Sequence, residues 1–229
     1  MKLSIVIPCY NEEKTVEQIV NLVEKVDGIE KEIIILDDGS SDATPKILEE
    51  MRKKKPQLKI ILNPKNHGKG ATVREGYKHT TGDYVIVQDA DLEYDPQDYK
   101  KLMAELKKGA QVVYGSRFSG SQKDMTNLHY LGNRFLTMLT NVLYGTNLTD
   151  METCYKLLPG SFVRSLKLKS ARFDFEPEIT SRILKSGMKI AEVPISYRGR
   201  SWKAGKKITW RDGLHAAKAL IRFRFFEHA

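Results

Sequence analysis

Short apolar runs alternate with longer amphipathic ones through the first half of this 229-residue chain. Residues 3–8, 32–37, 58–62, 84–88 and 111–115, rich in Ile and Val, predict strands. Between them, residues 13–26, 43–54, 70–80 and 97–107 repeat their apolar positions with helical spacing. Strand-helix alternation of this kind specifies an α/β fold with an open, mostly parallel sheet flanked by helices. The second half reads differently. Leu128, Leu131, Phe135, Met138, Leu139 and Val142 mark a helix over 128–144, and 175–186 reads as another. Strand pieces at 189–193 and 195–197 are separated by Pro194, and an amphipathic helix over 210–226 ends the chain. The pattern predicts one globular unit, with a main domain over 1–197 and a basic loop and C-terminal helix over 198–229. No repeat or low-complexity linker interrupts it.

In open sheets ligands bind beyond the carboxyl ends of the strands, and the polar motifs fall there. Asp89 and Asp91, two residues apart after a strand, can aim two carboxylates at one hard divalent cation that also holds phosphate oxygens. An isolated Asp-X-Asp is also common in turns and caps. Asp37 and Asp38 open another turn, in which Asp42 reads as a helix cap and either earlier aspartate could meet a base or ribose. Pro8, Tyr10, Asn11 and Glu12 end the first strand in the same way. Asn66-His-Gly-Lys-Gly70 enters a helix, where glycines let backbone amides approach phosphate and Lys69 adds charge, although the P-loop spacing is absent.

Charge changes the picture in one place. The chain carries +9 overall, and from Arg198 to Arg224 nine basic residues stand against one acid, Asp212. Such a segment suits an anionic membrane surface or a phosphorylated substrate, and equally a solvated face. No RNA- or DNA-binding motif accompanies it, so nucleic acid is not an expected partner. Two cysteines in unrelated contexts indicate neither a disulfide framework nor zinc, and fit a cytoplasmic protein. The opening residues have neither the apolar h-region nor the small-residue cleavage site of a secretory leader, so none is expected, and no apolar run reaches the roughly 18 residues of a spanning helix. Any membrane association is therefore expected to be peripheral, on the cytoplasmic face, through residues 128–144 and 210–226.

Leu3-Ser-Ile-Val-Ile-Pro-Cys-Tyr-Asn-Glu-Glu13, Asp37-Asp-Gly-Ser-Ser-Asp-Ala-Thr44, Asn66-His-Gly-Lys-Gly70 and Gln88-Asp-Ala-Asp91 stand in an order and spacing that resemble inverting family 2 glycosyltransferases. The chain is similar in particular to dolichyl-phosphate mannose synthases and their glucosyl relatives. The likeness continues through Gly115-Ser-Arg117, Gly132-Asn-Arg134, Thr149-Asp-Met-Glu-Thr-Cys-Tyr-Lys156, Phe173-Asp-Phe-Glu176 and Val193-Pro-Ile-Ser-Tyr197, almost the whole chain.

The resemblance implies a GT-A fold of Rossmann-like type. Pro8, Tyr10, Asn11, Glu12, an aspartate of the Asp37/Asp38 turn and Lys69 would bind the nucleotide of a donor such as GDP-mannose or UDP-glucose. Asp89 and Asp91, with Glu93 beside them, would hold Mg2+ or Mn2+. The acceptor would be dolichyl or another polyprenyl phosphate, collected by Arg117, Arg134, Arg198, Arg200, Lys206 and Lys207. Asp150 would be a base, a positioning residue or a buried turn aspartate. Two departures leave the donor sugar and the base open: Glu93 stands where mannose synthases of this group commonly carry Gln, and Cys154-Tyr155-Lys156 replaces Gly-Phe-Arg. A relative acting on a soluble sugar, protein or glycerolipid is the nearest alternative, a basic nucleic-acid- or membrane-binding module a more distant one. A membrane-protein partner is a further expectation.

Overall fold

The computed structural model describes residues 1–172, 174–200 and 210–227, for 210–212 the backbone only. Among them a seven-stranded sheet runs in the order β3-β2-β1-β4-β6-β5-β7. β1 (Lys2–Cys9), β2 (Glu30–Asp37), β3 (Lys59–Leu62) and β4 (Tyr84–Val87) are mutually parallel, joined by α1 (Val16–Glu24), α2 (Thr44–Lys54) and α3 (Lys69–Lys78). Helices cover the sheet, so central strands lose their alternation: Leu3, Ile5, Val6 and Ile7 are all fully buried in β1. Each of these strands points its carboxyl end at the same edge, and the motif turns collect there.

A 3-10 turn at Pro96–Asp98 leads into α4 (Tyr99–Lys107) and β5 (Val112–Lys123). Beyond Gly115 the sequence lost its apolar signal, yet β5 continues to residue 123. It pairs with β7 (Ile190–Arg198) across a register shift between Ser116 and Ser121. Gly120 makes that shift possible, because a Cβ there would lie 2.0 Å from the carbonyl oxygen of Ile195. The expected break at Pro194 does not occur. β7 is the edge strand, where a missing N–H costs no ladder partner. β6 (Lys156–Pro159), antiparallel to both β4 and β5, and α6 (Gly160–Ser165) had no counterpart in the periodicity.

α5 (Asn127–Tyr144), α7 (Phe175–Lys185) and α8 (Trp210–Phe225) complete the chain, with α8 packed on both others. α8 turns Ala216, Leu220 and Phe223 inward and leaves Leu214, Ile221 and Phe225 exposed. α5 is inverted relative to an ordinary surface helix. Its buried residues are Leu136, Thr137 and Thr140, whereas Leu128, Leu131, Phe135, Met138 and Val142 are 53–76% exposed. Among the described residues no helix is long and apolar enough to cross a membrane.

Candidate active site

The turns after β1 and β2 are locked together by their own side chains. Asn11, held at φ 53°, accepts from the Ser41 N–H at 2.8 Å and donates its backbone N–H to the Ser40 hydroxyl at 2.8 Å. Asp37, 1% exposed, accepts from the Ser40 N–H at 3.0 Å. Asp38 reaches across to the third turn, accepting from the backbone N–H groups of His67 (2.9 Å) and Gly68 (2.8 Å). These carboxylates tie three loops into one wall. Pro8, Tyr10, Glu12, Asp38 and Lys69 line a cavity of about 610 Å³; Asn11 instead faces a more open hollow of about 1330 Å³ beyond Arg200.

The glycines of the third turn do something other than cradle phosphate. A Cβ on Gly68 (φ +93°) would lie 2.4 Å from the Ala171 carbonyl oxygen, and one on Gly70 would lie 2.7 Å from that of Ser170. The Ala71 N–H donates to Ala171 at 3.1 Å. Their smallness admits the 170–172 segment, and the N–H groups of His67, Gly68 and Ala71 are already engaged within the protein.

Beyond β4, Gln88 is fully buried and its Oε1 accepts from the hydroxyls of Tyr99 and Tyr155, which anchors the next turn. Asp89 and Asp91 follow on the cavity wall, and Leu92 turns the chain at φ 64°, a conformation non-glycine residues rarely adopt. Lys69 Nζ stands 2.8 Å from Asp89 and 3.9 Å from Glu176. Burial works against its charge, but Asp89 and Glu176 hold its pKa well above the ordinary lysine value. Arg200 bridges Glu12 and Asp91, at 3.1 Å from each. Burial, reinforced by the charges of Asp89 and Glu93, pushes the Asp91 carboxyl up to about 7 despite Arg200. Two carboxylates two residues apart on the cavity wall, whose mutual repulsion Lys69 and Arg200 only partly offset, are a donor set that fits a hard divalent cation. No group of three metal-ligating side chains gathers among the described residues. Glu93 is drawn away, accepting from the Tyr197 hydroxyl and the Arg200 N–H, both at 2.7 Å.

The expected acceptor residues part company. Arg117, 5% exposed, donates through Nε and Nη2 to the two oxygens of fully buried Asp150, each at 2.7 Å, and Asp150 also accepts the Arg117 N–H at 3.0 Å. Both oxygens of Asp150 are thus engaged by Arg117. Glu192 fixes this turn in its place, accepting from the N–H groups of Thr149 and Asp150. Arg134 is exposed, and both its guanidinium and that of Arg117 lie 5.6 Å from the Phe118 ring centre. Arg198 lines the outer hollow, 3.6 Å from Asp124. Arg200 sits on the acidic wall described above. Lys206 and Lys207 lie outside the described residues.

Several cavity residues had no role assigned from sequence. Glu152 and Glu176 fall inside motifs already noted, and Glu176 forms a buried pair with Lys156. Arg172 follows the segment that packs on Gly68. Their adjacency to the motifs was the available signal. The cavity continues past Arg117 and Glu152 to Leu128, His129 and Leu136 of α5 and Gly213 and Ala216 of α8.

The chain matches the glycosyl transferase family 2 model over residues 4–165. It is 29% identical over 217 residues to a dolichol-phosphate mannosyltransferase of Pyrococcus furiosus, covering 91% of this chain and 61% of that one. A dolichyl-phosphate beta-glucosyltransferase of Trichomonas vaginalis is also 29% identical, over 98% of this chain and 73% of its own length. The glucosyl-3-phosphoglycerate synthase of Mycobacterium tuberculosis, solved with Mn2+, UDP and glucosyl-3-phosphoglycerate, superposes with a TM-score of 0.73 at 21% identity, over 100% of this chain and 81% of that one. This likeness shows the fold, which is of GT-A type. With the family match spanning most of the chain, including the turns after β1, β2 and β4, the protein belongs to glycosyl transferase family 2 and is a glycosyltransferase.

Proposed function

We propose that this protein transfers a hexose, with inversion, from a nucleotide-sugar to a polyprenyl phosphate at a membrane surface. The observation that carries the reading is the course of the cavity. It begins at the loops of the nucleotide half, passes Asp89, Asp91 and Arg117, and ends between α5 and α8, whose outer faces expose large apolar side chains. A lipid phosphate has both parts of this surface to use: an anion for Arg117 and a chain that stays in the bilayer. The names of the Pyrococcus and Trichomonas relatives support the same acceptor class.

Pro8, Tyr10, Glu12 and Lys69 would bind the donor's nucleotide end, Asp38 holding their wall together. Asp89 and Asp91 would hold Mg2+ or Mn2+, which supplies neutralisation of the leaving diphosphate. An acceptor phosphate oxygen forms a bond to the anomeric carbon as the bond from that carbon to the donor diphosphate breaks, its electron pair leaving with the nucleoside diphosphate. A dianionic acceptor carries no proton on the attacking oxygen, so no base is required. This agrees with Asp150 being occupied by Arg117. Arg117, preset by Asp150 and stacked on Phe118, would receive the acceptor phosphate, with Arg134 across the same ring.

The membrane-facing part rests on α5 and α8. Leu128, Val142 and Phe226 are each 76% exposed, and Lys218, Arg222 and Arg224 stand beside the α8 face. Basic side chains near an anionic surface add about 1 kcal/mol each. The test is a donor panel of GDP-mannose and UDP-glucose with Mn2+ and a polyprenyl phosphate in anionic liposomes, read as lipid-linked sugar and as co-sedimentation. Product with one donor, and sedimentation lost in a Phe225→Glu/Phe226→Glu variant, is the expected result. Transfer only to a water-soluble phosphorylated acceptor would overturn the lipid reading.

A further inference from the structure

Glu152 is unlike the other acids of the cavity. Asp38 is held by two backbone N–H groups, Asp89 by Lys69, Asp91 by Arg200, Glu93 by Tyr197 and Glu176 by Lys156. Glu152 lines the same cavity, yet its Oε1 is closed off from solvent and has no hydrogen-bond partner among the described residues. A buried carboxylate oxygen left in this state costs stability that a protein recovers when a ligand supplies the missing donor. The charges around it mark its place. Arg117, Asp150, Lys156 and Glu176 are all near enough for their charges to act on it, and Glu176 is 3.9 Å from Lys69. Glu152 thus shares one cavity with Arg117, the cation assigned to the acceptor phosphate, and Lys69, assigned to the donor's nucleotide end. In a displacement at an anomeric carbon, the sugar ring joins the acceptor phosphate to the donor diphosphate and must occupy the cavity that these residues line.

We propose that Glu152 is a specificity-determining residue that takes hydrogen bonds from hydroxyl groups of the donor's hexose. The inference rests on the function proposed above and adds to it the group that reads the sugar. Ring hydroxyls are the donors that a hexose brings within reach of a buried carboxylate, and a site built to receive a hydroxyl rejects an analogue that lacks it. Asp150, two residues earlier, is unsuited to the task because both its oxygens belong to Arg117. The role is recognition, and no proton leaves or enters in the transfer step.

The experiment compares wild type with Glu152→Gln and Glu152→Ala by calorimetry against UDP, UDP-glucose, GDP and GDP-mannose, followed by transfer assays with the donor that binds. Deoxy-hexose analogues of that donor complete the set. The wild type is expected to bind the nucleotide-sugar more tightly than its nucleoside diphosphate. In Glu152→Ala the diphosphate affinity stays as in wild type, whereas the sugar's added affinity and kcat/KM fall by about 10- to 100-fold, the worth of a hydrogen bond to a charged group. One deoxy analogue, discriminated against by wild type, is then used by the Ala variant as well as the parent donor. Unchanged discrimination among analogues in both variants overturns the proposal, as does equal binding of nucleotide-sugar and nucleoside diphosphate by wild type. Failure of the polyprenyl phosphate reading appears separately, as donor binding that depends on Glu152 without transfer to lipid.

Discussion

The two edges of the sheet treat their carboxylates in opposite ways. At the amino edge Glu32 is surrounded by donors: the Ser4 hydroxyl, the Thr81 N–H at 2.6 Å, the Thr81 hydroxyl at 2.8 Å and Lys2 at 3.1 Å. Burial works against its charge, yet these hydrogen bonds overcome it and hold its pKa at about 2. At the carboxyl edge burial dominates instead, and Asp91 and Glu152 are both pushed up to about 7. The same residue chemistry fastens strands at one edge and holds desolvated carboxyl groups at the other. Carboxylates that burial penalises are the ones a cation or a sugar can relieve.

Replacing Asp91 should separate the two kinds most sharply. Asp91→Asn is expected to lower transfer by about a thousandfold or more, some 4 kcal/mol of barrier, while melting no lower than wild type because a repelled charge is removed. A large fall in melting temperature would place Asp91 with the fastening carboxylates. Asp150, at the reactive edge but fully paired, should behave as a structural acid. Asp150→Ala strands the buried Arg117 guanidinium and is expected to cost about 3–5 kcal/mol in chemical denaturation, part of which an Arg117→Met/Asp150→Leu double variant regains.

The pH dependences should then run in opposite senses. Glu152 has its folded pKa raised from 4.5 to about 7, so its favourable contribution is present below pH 4.5 and is lost as pH rises through 7. Glu152→Gln is expected to gain about 3 kcal/mol over wild type at pH 8 and nothing at pH 4. Glu32 has its folded pKa depressed, so its contribution is present above pH 4.5 and disappears as pH falls toward 2. Glu32→Gln should be less stable by about 1 kcal/mol at pH 7, a figure reduced for solvent screening at a partly exposed site, and equal to wild type near pH 2. Urea melts at these pH values check both, and parallel profiles would erase the distinction between the edges.

The parallel half of the fold was legible because each buried strand is a short Ile- and Val-rich run followed by a polar turn, and the carboxyl-edge rule then gathered Pro8, Asp38, Lys69, Asp89 and Asp91 correctly onto one wall. β6 escaped because four residues carry no period, and the far half of β5 because its side chains are polar and exposed. Pairings across the chain were out of reach for a different reason. Arg200 meets Glu12 from 188 residues away, and Arg117 meets Asp150 from 33. Both arginines read from sequence as free cations for a phosphate, when one is committed to the acidic wall and the other is half-satisfied by its aspartate. The sequence pattern identified the exposed apolar row of α5 as a helix face without revealing that this face points outward, since periodicity reports that a stripe exists and not which side is covered.

The borders of the sheet carry a consequence for crowding. A row of unpaired backbone groups along an edge strand is a template on which a second molecule can add a strand. Here one border, β3, is only four residues long. The other, β7, has Pro194 in its middle and a bridge from Tyr94 over Tyr197 near its end. Neither border offers a long uninterrupted ladder. Copies of this protein concentrated side by side on a two-dimensional surface would meet at borders ill suited to growth of a shared sheet, and the proline that looked like a strand breaker serves as a guard against self-association.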